Sequence, residues 1–364
     1  MRRLLPLLLA AIACAFATPA SATPITIKKS IWGPVERDGV SQFPIYADLG
    51  VGLYQYTVNW ADVAPSKPAD PANPADPGYQ WPTALDEAIA EADKYGIQVS
   101  VMLIGAPKWA NGNREWRWAP DDPQDFGTFA AAASRRYPRV RHWMIWSEPT
   151  KGGNFQPLSP DNGKPLRGKG LEGPHRYAAI LDAAYGALKG VTSANKVIGG
   201  NTFTVGTVAP LRWVKALKLA NGRRPRMDLW GHNPFSARVP NLNADRLGGG
   251  YADLSDVDQL AHTLDRSFRH APLKRERHLK LFLSEYTLPT DHANFEFNFY
   301  VSRKVQARWI KKALRIARTY KRIYTFGYLG LYDDALRDDN QQVDRGLLTR
   351  SGAKKPAYAA FRNN

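Results

Sequence analysis

The chain of 364 residues has one cysteine, Cys14, and four methionines. A single thiol cannot close an intramolecular bridge, so a disulfide-stapled scaffold is excluded. Long apolar runs are also missing. The best candidate, residues 4–17 behind Arg2 and Arg3, falls short of the roughly 20 residues a spanning helix needs. Nucleotide and serine-nucleophile signatures are absent: no Gly-x-Gly-x-x-Gly follows a suitable strand, there is no Walker loop, and neither Ser147 nor Ser284 lies in a Gly-x-Ser-x-Gly elbow. His232 and the scattered acids lack metal-ligand spacing. No cofactor and no metal are therefore expected. Acids are outnumbered, with 33 Asp and Glu against 50 Lys and Arg and a formal charge of +17. Apolar residues, at 44% with 11 Trp, are not scarce, which excludes disorder as the dominant state.

Ala20-Ser21-Ala22 after the apolar run reads as an export cleavage site, so residues 1–22 are expected to be a secretion signal and 23–364 the folded domain. Ala11-Ile12-Ala13-Cys14 is a poor lipid-attachment signal, so a secreted product without a lipid anchor or integral membrane segment is expected. Its positive balance suits acidic glycans or an anionic cell surface, whereas interleaved acids argue against nucleic acid.

Short apolar segments alternate with longer amphipathic ones. Strands are predicted at 27–32, 51–57, 97–104, 140–146, 196–199, 227–230, 280–283 and 322–330. Their continuous apolar character suits parallel strands buried on both faces. Helical faces are marked by Leu85, Ile89 and Ala92, by Val257, Leu260, Leu264 and Phe268, and by Val305, Trp309, Ala313, Ile316 and Tyr320. Further helices are predicted near 123–136, 173–190 and 206–221. Eight such units favour an α/β fold of one closed (β/α)8 TIM barrel over an open sheet. No linker divides the chain. The Pro-rich stretch 65–82 reads as a loop after the second strand, either bordering the barrel mouth or a plain surface insertion.

Two carboxylates fall at strand ends. His142-Trp143-Met144-Ile145-Trp146 leads into Ser147-Glu148-Pro149, and Leu281-Phe282-Leu283-Ser284 into Glu285-Tyr286. Strand C-termini converge on one barrel mouth, so distance in sequence is no obstacle to proximity. Either Glu alone would more simply be a polar strand end.

In these motifs the chain resembles clan A of the glycoside hydrolases, especially the family 39-like branches. The resemblance spans about residues 28–363. It also takes in Asp228 through His232-Asn233-Pro234-Phe235, Gln306-Ala307, Gly346-Leu347-Leu348 and Lys355-Pro356-Ala357-Tyr358. It implies that Glu148 is the acid/base and Glu285 the nucleophile of a retaining, two-step hydrolysis of an extracellular oligosaccharide or polysaccharide. Two departures stand out. Ser147 occupies the place where clan members usually carry an Asn against the sugar 2-hydroxyl, and Phe235 stands where Tyr is common.

Trp60, Trp109 and Tyr328 are candidate sugar platforms, with barrel packing as the alternative. The loop resemblance makes His232 a hydroxyl contact, while Asn201 is either a contact or a cap. Asp333 and Asp334 read most simply as a solvated acidic turn. The tract Lys274-Arg275-Glu276-Arg277-His278 and the residues Lys311, Lys312, Arg315 and Arg318 read as wet surface rather than as a glycan-binding face. A non-catalytic carbohydrate-binding barrel and a transglycosidase of the same fold remain open at this stage.

Overall fold

A computed structural model describes residues 23–268 and 278–364. The expected leader and all of the 274–278 tract except His278 lie outside the described residues. The strands are β1 (Thr26–Trp32), β2 (Val51–Asn59), β3 (Gln98–Ile104), β4 (His142–Ile145), β5 (Lys196–Phe203), β6 (Leu229–Asn233), β7 (Lys280–Leu283) and β8 (Ile323–Leu329). Every neighbouring pair is parallel, and β1 closes the barrel by pairing with both β2 and β8. The α/β reading of one (β/α)8 barrel is correct.

Strand periodicity builds two cores. Leu53, Met102, Met144, Ile198, Leu229 and Phe282 point inward and fill the barrel with Ile27, Ile104 and Tyr324. Alternate residues such as Ile31, Tyr54, Val101, Trp143, Trp230 and Leu281 face outward and pack beneath the helices.

Beyond the single helical turn Trp60–Val63, the α-helices are α1 (Phe43–Asp48), α2 (Thr83–Lys94), α3 (Pro123–Arg136), α4 (Glu172–Val191), α5 (Pro210–Ala216), α6 (Val257–Phe268), α7 (Arg303–Thr319) and α8 (Pro356–Arg362). Asp122 caps α3, its Oδ1 accepting from Gln124 N at 2.9 Å ahead of Pro123 at the first helical position. Lys311, Lys312, Arg315 and Arg318 are exposed on α7, as solvated cations should be. Among the described residues, no helix is long and apolar enough to cross a membrane.

Three details differ from expectation. The helix expected over 206–221 covers only Pro210–Ala216, because Pro210 sets its start and Leu217 turns extended. β5 runs on to Phe203, with a register shift after Gly199. A small antiparallel ribbon, Glu36–Arg37 with Val40–Ser41, turns through Asp38 and Gly39, both at positive φ. Asp-Gly is the sequence signature of such a two-residue hairpin turn.

Candidate active site

The β4 and β7 ends place the two carboxylates in the barrel mouth. Past Ile145 the chain leaves the ladder through Trp146 at φ 67° and Glu148 at φ 41°, while Asn201 on β5 stands at φ 39°. A left-handed backbone at three non-glycine residues around one mouth carries a conformational cost that neighbouring contacts must offset. The Trp146 indole supplies one such contact, donating to Asn154 O at 2.8 Å while its rings pack on Phe126 and Phe155.

Glu148 is buried among donors. Asn233 Nδ2 gives Oε1 a hydrogen bond at 2.9 Å, Asn154 Nδ2 reaches Oε2 at 3.3 Å, and Lys151 Nζ lies 2.9 Å from Oε2. The same Asn233 side chain stands close enough to Glu285 to lower its carboxyl slightly, against the larger upward push of burial and of Glu148.

Glu285 is held from below. The Ser284 carbonyl accepts from Gln55 Nε2 at 2.8 Å and from Trp32 Nε1 at 3.1 Å, and Ser284 Oγ donates to Gln55 Oε1 at 3.0 Å. Gly327 on β8 makes this possible, because a Cβ there would stand 2.0 Å from Ser284 O. Burial, with the Glu148 carboxylate alongside, pushes the Glu285 carboxyl up to about 8. Among the described residues, no three His, Cys, Asp or Glu side chains gather as metal ligands.

No protein-family model matches this chain, and no curated protein matches it in sequence. Solved structures do. A family 39 glycoside hydrolase from Bacteroides cellulosilyticus WH2 superposes with a TM-score of 0.65 at 16% identity, over 93% of this chain and 63% of that one. A glucosidase from Croceicoccus marinus gives 0.62 at 15%, over 94% and 67%. A monomeric β-xylosidase from Caulobacter crescentus CB15 gives 0.60 at 16%, over 94% and 68%. The fold is that of the family 39-like glycosidase barrels. The chain spans about two thirds of the length of these solved glycosidases.

Within this barrel the other expected site residues separate into two groups. Trp60 is 1% exposed and stacks on Phe129 at 5.4 Å, with Phe126 and Trp109 edge-on, so it is packing between barrel and helix. Tyr328 is fully buried, and its hydroxyl donates to Arg345 O at 2.8 Å. It faces outward beside Ile31, away from the mouth. His232 is also enclosed. Its Nδ1 bonds to Thr202 Oγ1 at 2.8 Å and its Nε2 to Ala252 O at 2.9 Å, and burial lowers its pKa to about 4. These three expected sugar contacts are wall residues. Asp333 is corrected as well: it is buried against Lys355 Nζ at 2.8 Å and accepts from Gly346 N, so it is no solvated turn.

The second group stays at the mouth. Asn201 is buried facing inward, its Nδ2 within 3.5 Å of Met102 Sδ and 3.4 Å of Trp146 O. Ser147 and Phe235 are half-buried next to Glu148 and Asn233 in the chain. Trp109 is half-buried, its indole donating to Ala64 O at 2.9 Å, which ties the Pro-rich loop to the β3 end.

Asn233, Lys151 and Asn154 were missed in the sequence, as was a row of rings. Phe203 meets Phe235 at 5.5 Å, Phe235 meets Phe297 at 5.9 Å, and Phe297 meets Phe299 at 6.0 Å. Strand alternation could have found Asn233, because it shares the inward face of Leu229 whereas His232 shares the outward face of Trp230. Phe297 and Phe299 sit in an irregular loop and carry no such signal.

Proposed function

We propose that the chain is a retaining O-glycoside hydrolase acting on an extracellular oligosaccharide or polysaccharide, with residues 23–364 as its catalytic domain behind a 1–22 secretion signal. The observation that carries this reading is the pair Glu148 and Glu285 from the β4 and β7 ends, with the Asn233 amide on Glu148 Oε1 at 2.9 Å and Glu148 close enough to raise the Glu285 carboxyl. Glu148 protonates the departing glycosidic oxygen while Glu285 bonds to the anomeric carbon, and Glu148 then activates water to release the sugar. This chemistry requires carboxyl groups roughly 5–5.5 Å apart. It also requires one proton on the pair, which the raised Glu285 carboxyl supports.

Two features suit a hydroxyl-rich ligand. The Oδ1 atoms of Asn201 and Asn233 are buried without a partner among the described residues, which leaves acceptors for sugar hydroxyls. The row from Phe203 to Phe299 offers ring faces to the apolar faces of sugars. The test is anomer-resolved NMR of the purified protein on linkage-defined glycans, with Glu148→Ala and Glu285→Gln alongside. The expected first product keeps the substrate's anomeric configuration and disappears with either variant. Initial inversion, or wild-type turnover in both variants, would overturn the assignment.

A further inference from the structure

Glu148 carries an ion pair that its acid role does not explain. Lys151 Nζ sits 2.9 Å from Oε2, and Asn154 donates to the same oxygen. Both Glu148 oxygens are thus taken by protein donors, where a general acid must carry its own proton toward the leaving group. Meanwhile burial and the Glu148 carboxylate push the Glu285 carboxyl up, whereas a nucleophile must be ionised. In the free protein Lys151 is thus turned in onto the oxygen pair that the first chemical step needs free for the acid's proton.

Lys151 is placed to reverse it. Its side chain is 41% exposed while that of Glu148 is 8% exposed. Its ammonium lies over the Phe203 ring, 4.5 Å from the centroid, where the aromatic row begins. Among the described residues Glu148 is its one ion-pair partner. A flexible cation at the rim, joined to one buried oxygen, can turn to an anion arriving from outside. Because the acid/base stands on the leaving-group side of the scissile bond, Lys151 addresses what lies beyond the glycosidic oxygen.

We propose that Lys151 is a specificity-determining residue that recognises an oxyanion, a carboxylate or a sulfate, on the leaving-group side of the glycoside, and thereby releases Glu148 to act as the acid. The inference rests on the glycosidase reading above. When Lys151 turns to the substrate, Glu148 takes the one proton that the carboxyl pair carries, leaving Glu285 a carboxylate. Its oxygen then forms the bond to the anomeric carbon as the bond to the leaving oxygen breaks, and the Glu148 proton goes to that oxygen.

The test uses two aryl glycosides of a sugar the protein cleaves, matched in phenol acidity, one phenol bearing a carboxylate and the other neutral. A charge-assisted contact predicts kcat/KM higher by roughly ten-fold or more for the carboxylated substrate. That preference should shrink with added NaCl in the wild-type protein. Lys151→Arg should keep it, and Lys151→Gln should bring the ratio near one. A sulfated phenol run alongside separates the two sources of the oxyanion. Equal wild-type rates on anionic and neutral substrates would overturn the proposal while leaving glycosidase activity standing. A Lys151→Gln variant slowed equally on both, with the ratio intact, would reduce Lys151 to a structural role. Absence of turnover on every glycoside would remove the underlying reading and this inference with it.

Discussion

The Asn233 amide on β6 donates to Glu148 Oε1 at 2.9 Å across 85 residues of chain. One uncharged side chain therefore helps to position the proposed acid/base carboxyl. Replacing it removes a buried donor to a charged group, which costs about 1.5–3 kcal/mol. Asn233→Ala should lower kcat/KM roughly 10- to 100-fold in steady-state assays while circular dichroism stays native. Asn233→Asp, equal in size but acidic, should lose more. Wild-type kinetics in both variants would remove Asn233 from the site.

Removing Glu148 should hurt in proportion to how much proton the leaving group needs. Glu148→Ala is expected to lose roughly 10²- to 10⁴-fold in turnover on poor leaving groups and much less on activated aryl glycosides. Added azide should recover activity and yield a glycosyl azide of retained configuration. A uniform loss across leaving groups would contradict the acid role.

Glu285 should make stability depend on pH. Its carboxyl is raised to about 8 in the folded chain, against an ordinary value of 4.5. The folded state therefore binds more protons between those limits, and stability falls as pH rises through that window. Glu285→Gln should remove this cost, stabilising the protein by about 2–4 kcal/mol at pH 9 and little at pH 4.5. Denaturant midpoints of both proteins at the two pH values check it, and a pH-independent difference would contradict the assignment.

Gly327→Ala should damage the β7 end from below, since the new Cβ would fall 2.0 Å from Ser284 O and 2.7 Å from Gln55 Nε2. Backbone cannot yield as a flexible side chain does, so a loss of at least about 1–3 kcal/mol is expected, with turnover falling as Glu285 shifts. A fully stable and active variant would show that β8 need not approach so closely.

Trp60 separates packing from sugar contact. Trp60→Ala should cost about 3–5 kcal/mol by opening a cavity against Phe126 and Phe129, with KM for small substrates unchanged in the folded fraction. A raised KM with native stability would restore it as a sugar platform.

Much of this was legible along the chain. The alternation of apolar strands with amphipathic helices marked all eight barrel strands, since a parallel strand covered on both faces must be continuously apolar. Glu148 and Glu285 stood out because a charge directly after such a run lies at a strand end. Helix ends were less legible: α5 stops at Ala216, though its apolar pattern continues.

Sequence by itself thus determined the barrel and the two carboxylates at its mouth. Tertiary structure decided which neighbours share that mouth. His232 and Asn233 are adjacent letters, yet strand geometry sends the histidine outward to Thr202 and Ala252 and the asparagine inward to Glu148. The same alternation turns Tyr328 toward Arg345 and brings Gly327 against Ser284. The ion-pair partner of Glu148 was decided at this level too, because Lys151 follows it on a turn that folds its ammonium back onto the carboxyl. Composition and periodicity report how much a segment buries, whereas a side chain's direction depends on the register closing the barrel, and the state of a buried carboxyl on the few groups that register brings within hydrogen-bonding reach.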